Sequence, residues 1–266
     1  MPSPQPGQRT ARTTVAALLL SAVAYTAWVL EVMPSTGLDP VQAYVSELAA
    51  EDQPLGGLFR ATDLAAGLCL LAAAGTALVS GLTGGPATGR AGDSRRGRWA
   101  LVGWSALALF GAATAADSRL PLSCTPTSDE MCAARETAGL VPATHTAHAV
   151  TSSLAMLGAL TALVALTVAA RRYGWWPPVR RLGPWLLGAE LLATGWSLAA
   201  IAAFQAGRGT WALGAGQRLQ VLLVALWLAV LAVGVARFTT SARSTRRDGP
   251  GEQRHQAGPL PERRPT

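Results

Sequence analysis

The chain has 266 residues, of which 50% are hydrophobic and only 14% charged, with a formal net charge of +7. That is too apolar for an ordinary soluble domain and suits an integral membrane protein. The basic residues fall in separate loops and not on one repeating face, so membrane topology explains them and nucleic acid is excluded as a partner. All 22 are Arg, a composition that fits a GC-rich, actinobacterial genome.

A bilayer core takes about 20 apolar residues at helical rise. The cytoplasmic N-terminal segment, residues 1–13, carries Arg9 and Arg12 and no acid. The first span follows, Thr14 to Met33. Its AYTA stretch (Ala24 to Ala27) admits a cleaved signal peptide, but the apolar run continues through Trp28 to Val32 and reads as an uncleaved anchor. The first loop is acidic, with Asp39, Glu47, Glu51 and Asp52. Within it Asp39 and Pro40 suit a helix start, and Val41, Tyr44, Val45 and Leu48 share one helical face. The spacing predicts a short extracellular amphipathic helix, lying on the membrane surface or over the mouth of the bundle.

The second span is Leu58 to Leu82, and the loop after it is basic and flexible, Gly84 to Arg98. The third span is Trp99 to Ala116. The loop that follows is mostly acidic and contains Cys124 and Cys132, which can pair in an oxidising exterior. Such a link stabilises by roughly 2.5 kcal/mol in the loop-entropy picture. Cys69, inside the second span, reads as a small core residue. The remaining spans are Thr144 to Ala170, Leu182 to Ala206 and Gln217 to Ala236. A basic loop separates the first two of these, and the tail from Arg237 to Thr266 is Arg-rich and predicted to be disordered.

Arginine therefore alternates from side to side, which predicts a plasma-membrane protein with both termini in the cytoplasm. Backbone groups in hydrocarbon must pair internally, so the spans are helices. The expected fold is all-α: a six-helix transmembrane bundle over residues 14–236, with the lipid bilayer as its first partner.

On this topology several scarce polar groups meet near the outer surface. His145 and His148 begin the fourth span, three residues apart on one face. Arg60 and Asp63 begin the second span, Asp117 ends the third, Glu31 ends the first, and Arg218 begins the sixth. Charges at membrane depth are costly, so a cluster on several helices suggests a shared polar pocket. In a structural reading, Arg60 pairs with Asp63, Arg218 with Asp117 or Glu31, and the histidines bond loop carbonyls. In a metal reading, His145, His148, Asp63 and Asp117 hold zinc, whose bound water hydrolyses a lipid ester or amide. In a binding reading, a lipid headgroup or small ligand occupies the pocket, with Glu47, Arg60, Asp63, Asp117, His145, His148 and Arg218 as candidate contacts. Glu190 stands apart within the fifth span, with Thr194 and Ser197 one and two turns on. It reads as a proton or ion path for a transporter, or as a packing hydrogen bond helped by Gly188 and Gly195.

The segment YVSELAAEDQPLGGLFRATDLAAG (Tyr44 to Gly67), with AADSRLPLSC and THTAHAV further on, resembles bacterial membrane proteins of the DUF998 family. The resemblance runs from about Val15 to Ala236 and matches at Ser46, Glu47, Asp117, Cys124 and one of the two histidines. It implies a multi-helix membrane protein, commonly of six spans, with no assigned activity. The Asp and His at the outer mouth are also similar to those of membrane hydrolases of the alkaline ceramidase type, although this chain has fewer histidines and spans. The working expectation is a ligand-binding or structural role in the envelope. A metal-dependent lipid hydrolase is the alternative, and a proton-coupled transporter comes third.

Overall fold

A computed structural model describes residues 6–33, 36–80 and 97–247, with side chains from 9 to 238 within those ranges. The α-helices are α1 (Pro6–Tyr25), α2 (Gly56–Val79), α3 (Arg98–Asp117), α4 (Glu130–Thr137), α5 (Ala143–Tyr173), α6 (Pro177–Gln205) and α7 (Leu213–Arg247). Short 3-10 turns cover Ala27–Val32 and Val45–Ala49. Six helices are long and apolar enough to cross a membrane; α4 is the exception. The chain is thus an all-helical, multi-pass membrane protein, as its hydropathy predicts.

The six long helices close into a ring. Each packs on its neighbour in the order α1, α2, α3, α5, α6, α7, and α7 returns to α1. Leu20, Leu68, Leu101, Leu157, Leu192 and Leu226 stay exposed on the outside, where lipid chains are as good a solvent as another leucine. Burial against water therefore does not drive these helices together; close van der Waals contact does. At α2 and α3 the backbones themselves touch. A Cβ added to Gly67 would sit 2.7 Å from the Gly111 carbonyl oxygen, and one added to Gly111 would sit 2.8 Å from the Gly67 oxygen.

The two ends of the ring differ. Call the end where α1 begins and α7 finishes the terminal face, and the opposite end the loop face. Toward the terminal face the interior is filled by Trp104, Trp176 and Trp227, all fully buried with Leu166 and Leu231. Trp104 meets Trp176 edge to face at 6.1 Å. Trp176 caps α6 in the left-handed region, at φ 45°, a conformation a bulky residue holds only where its surroundings dictate it. At the loop face the interior is polar, and three connections cover it.

Those connections differ from their sequence reading. The first span is not one helix, since α1 stops at Tyr25 and a 3-10 turn carries the chain on to Val32. The predicted amphipathic helix in the first loop is broken in two. Asp39 does cap, accepting the Val41 N–H at 2.8 Å, but Tyr44 is extended and only Val45–Ala49 turns again. The reason is competition from α7. Gln217 takes the Val45 N–H at 2.9 Å and Arg218 donates to the Ala43 carbonyl at 3.0 Å, so partners distant in sequence satisfy groups a helix would have paired. The segment packs over the ring mouth through Leu38, Ala43 and Leu48, against Phe59 of α2. In the third loop, α4 forms where no helix is predicted, capped by Asp129 accepting from the Met131 N–H at 2.9 Å. Cys124 and Cys132 form a disulfide with Cα atoms 6.0 Å apart. Finally, α7 runs helical to Arg247, so the predicted disorder from Arg237 onward does not hold for its first turns. Residues 248–266 and most of the Gly84 to Arg98 loop lie outside the described residues.

Candidate functional site

The loop-face cover is knitted by hydrogen bonds among the three connections. The Glu51 N–H donates to the Leu122 carbonyl at 2.9 Å, and Thr210 donates its hydroxyl to Gln42. Glu47 is completely buried. It accepts the Thr127 N–H at 2.8 Å on one oxygen and the Thr127 hydroxyl on the other. Glu47 is therefore a clasp between the first and third loops.

Burial pushes the Glu47 carboxyl up from its ordinary 4.5, against the two Thr127 hydrogen bonds that pull it down. The folded state then holds that proton more tightly than the unfolded state. Its stabilising effect is present below the unfolded value and is lost as pH rises through the folded one. The expected result is a melting temperature that falls as pH is raised above the ordinary 4.5. Glu47→Gln keeps the shape of the clasp and flattens that slope. A melting profile measured across this range that keeps its slope in the variant assigns the effect elsewhere.

The two arginines are committed to the cover as well. Arg218, on α7, is buried and makes a two-pronged pair with Glu31, its Nε donating at 2.8 Å to one oxygen and Nη2 to the other. Its Nη1 donates to the carbonyls of Ala43 and Gly214 at 3.0 and 3.2 Å. The sequence offered Asp117 or Glu31 as partner, and Glu31 is the one. The expected Arg60–Asp63 pair does not form. Helical side chains lean toward the N-terminus, so Arg60 reaches back to the carbonyls of Ala49 and Ala50 at 2.6 and 3.3 Å. Gly56 makes room: a Cβ there would lie 2.2 Å from the Ala50 oxygen.

The histidines part company. His145 Nδ1 accepts the Ser123 N–H at 3.1 Å, which places its proton on Nε2. That buried Nε2 has no hydrogen bond and faces Glu136 at 3.9 Å. His148 Nδ1 sits 3.1 Å from both the Leu120 carbonyl and Asp117 Oδ1. The carbonyl can only accept, so this nitrogen carries the proton. Asp117 accepts from Thr151 and from Ser152, the latter at 3.1 and 3.2 Å. Ser152 also lies 3.3 Å from His148 Nε2. One hydroxyl proton cannot serve both acceptors at once, so Asp117, His148 and Ser152 form a closed triangle of exchangeable bonds. Among the described residues no three His, Cys, Asp or Glu side chains converge as a metal-ligand set.

Deeper in the ring a polar layer crosses it. Tyr25 of α1 meets Thr114 of α3 at 3.3 Å and lies within the electrostatic reach of Asp63, Asp117 and Glu190. Asp63, partly buried, feels the Asp117 charge. Glu190 of α6 is 1% exposed, and neither of its buried oxygens has a hydrogen bond of good geometry. Gln220 of α7 is beside it and within weak hydrogen-bonding reach, while its amide donates with better geometry to Thr194 at 2.8 Å and to the Met156 sulfur at 3.1 Å. Gly188 and Gly195 do not help Glu190 to pack, because a Cβ at either meets nothing within 4 Å. Sequence reading missed Tyr25, Thr127 and Ser152. Only Ser152 had a legible signal, four residues after His148 on the same face.

A family model described as a protein of unknown function, DUF998, matches residues 14–234. The chain belongs to the DUF998 family. No curated protein and no solved structure matches it. The family's span takes in all six membrane helices and both halves of the site, the loop clasp at Glu47 and the layer reaching Glu190.

Proposed function

We propose that this DUF998 protein binds a small cationic ligand, an organic amine or the amine of a lipid headgroup, in the polar layer of the ring. The reading places it in the bacterial plasma membrane with its termini in the cytoplasm and the layer toward the outer leaflet. Glu190 is the observation that carries it: a fully buried carboxyl with no hydrogen bond of good geometry, and only the Gln220 side chain beside it, is a poorly compensated cost. Asp63 lies in the same layer, while the two arginines near it, Arg60 and Arg218, are tied to carbonyls and to Glu31. What is left over at this depth is acid, and a cation is its complement. Of the candidate contacts, Arg60 and Arg218 are thus engaged elsewhere, which favours an amine as the ligand group.

Access has a candidate route. Of all neighbours in the ring, α5 and α6 touch least, and Gln220 reaches between them. The tryptophan plug toward the terminal face favours holding over through-passage. Zinc chemistry would need His145 and His148 to give up Ser123 and Leu120, the groups that their Nδ1 atoms hold.

The test is a thermal titration of the purified protein in detergent, at constant ionic strength, with ethanolamine and with glycerol as its uncharged counterpart. Ethanolamine is expected to stabilise saturably, by about 2.7 kcal/mol at a hundred times its dissociation constant. Glycerol is expected to do nothing. Glu190→Gln should abolish the effect, and Glu51→Gln, an exposed carboxylate, should leave it intact. Phosphatidylethanolamine in nanodiscs separates a lipid amine from a free one. Equal ethanolamine shifts in wild type and Glu190→Gln defeat the reading.

A further inference from the structure

A second site lies at the other end of the ring and rests on different residues. Between α6 and α7 at the terminal face runs an open groove of about 450 Å³, lined by Pro177, Pro178, Leu182, Ala229, Val230 and Val233, with Arg181 and Arg237. The volume is that of a small-ligand site. Its polarity is ordered along the helix axes. On α7, Ala229, Val230 and Val233 lie toward the bilayer interior and Arg237 one turn further out. On α6, Arg181 sits with the two prolines, in the first turns from the terminal face.

We propose that this groove holds one anionic phospholipid of the surrounding bilayer. Its phosphate lies between Arg181 and Arg237, and an acyl chain follows Leu182, Val230 and Val233. An apolar trough that becomes doubly cationic at its rim matches a lipid in both composition and direction. Arginine's planar fork suits a phosphate oxygen pair. A zwitterionic lipid offers the same chain but no net charge, so the site discriminates by headgroup.

The experiment is native mass spectrometry of the full chain, released from detergent after mixing with phosphatidylglycerol or phosphatidylcholine. Wild type is expected to retain one phosphatidylglycerol in preference to phosphatidylcholine. The double variant Arg181→Gln, Arg237→Gln should bind phosphatidylglycerol about thirtyfold more weakly, from the usual effect of two basic residues near an anionic headgroup. Val233→Trp fills the trough without altering charge and should also expel the lipid. Arg171→Gln with Arg172→Gln, at the end of α5, should change little. The proposal fails if that control pair loses the preference equally, or if Val233→Trp retains the lipid. It also fails if glycerol phosphate displaces the lipid, or if a chain ending at Arg247 gains a lipid that the full chain lacks. The first two outcomes would assign the binding to general surface charge, the third to a soluble phosphate, and the last to the tail as the groove's occupant.

Discussion

Arg218→Ala is expected to destabilise the protein by about 3–5 kcal/mol, the usual consequence of removing one partner of a buried ion pair. Arg218 and Glu31 are both under one-tenth exposed, so Glu31 would be left charged with no counter-ion. The loss extends beyond the pair, because the same guanidinium holds the carbonyls of Ala43 and Gly214. Those two bonds tie the first connection to the start of α7. The double variant Glu31→Leu, Arg218→Met removes both charges, and most of the stability should return. Recovery should stop about 1–3 kcal/mol short, because the Ala43 carbonyl is left without its donor. Equilibrium unfolding in micelles, run as a double-mutant cycle, measures both numbers. A loss below about 1 kcal/mol for Arg218→Ala would mean that solvent screens the pair as it does at a surface, and the sealed cover would be wrong.

The second large effect belongs to Gly111. A side chain there would meet the Gly67 oxygen at 2.8 Å, the Leu70 Cβ at 2.8 Å and the Leu71 nitrogen at 2.9 Å. Two of these are backbone atoms of α2 that cannot swing aside, so α2 and α3 must separate. Because contact at van der Waals distance is what joins helices in lipid, Gly111→Leu is expected to cost about 3 kcal/mol or to prevent folding. Gly188→Leu makes the contrast. It adds the same side chain where nothing lies within 4 Å, and its effect should stay within about 0.5 kcal/mol. Unfolding curves for the two variants side by side decide the matter. Equal tolerance would show that α2 and α3 pack less closely than their backbones indicate.

The loop face shows where local pattern stops being informative. Val41, Tyr44, Val45 and Leu48 carry a genuine helical period, and alone the segment would be read as one amphipathic helix. Two α7 side chains, Gln217 and Arg218, capture its backbone groups instead. Arg60 and Asp63, one turn apart, look like an ion pair, yet the lean of helical side chains sends Arg60 to the preceding carbonyls. In the third loop α4 was missed because eight residues with one cap are too few for periodicity to register, and the disulfide supplies the rest.

By itself, then, the amino-acid sequence determined that this chain forms six helices long and apolar enough to cross a membrane, and that two cysteines are spaced to pair. These are sums over neighbouring residues, and hydrocarbon allows a backbone few alternatives. Only the tertiary structure decided which charges cancel and which remain. Glu31 finds Arg218 across 187 positions and Glu47 finds Thr127 across 80, while Glu190 has only the side chain of Gln220 beside it. Those outcomes depend on how each helix is rotated about its axis when the ring closes, and that rotation is set by packing among helices far apart in the chain.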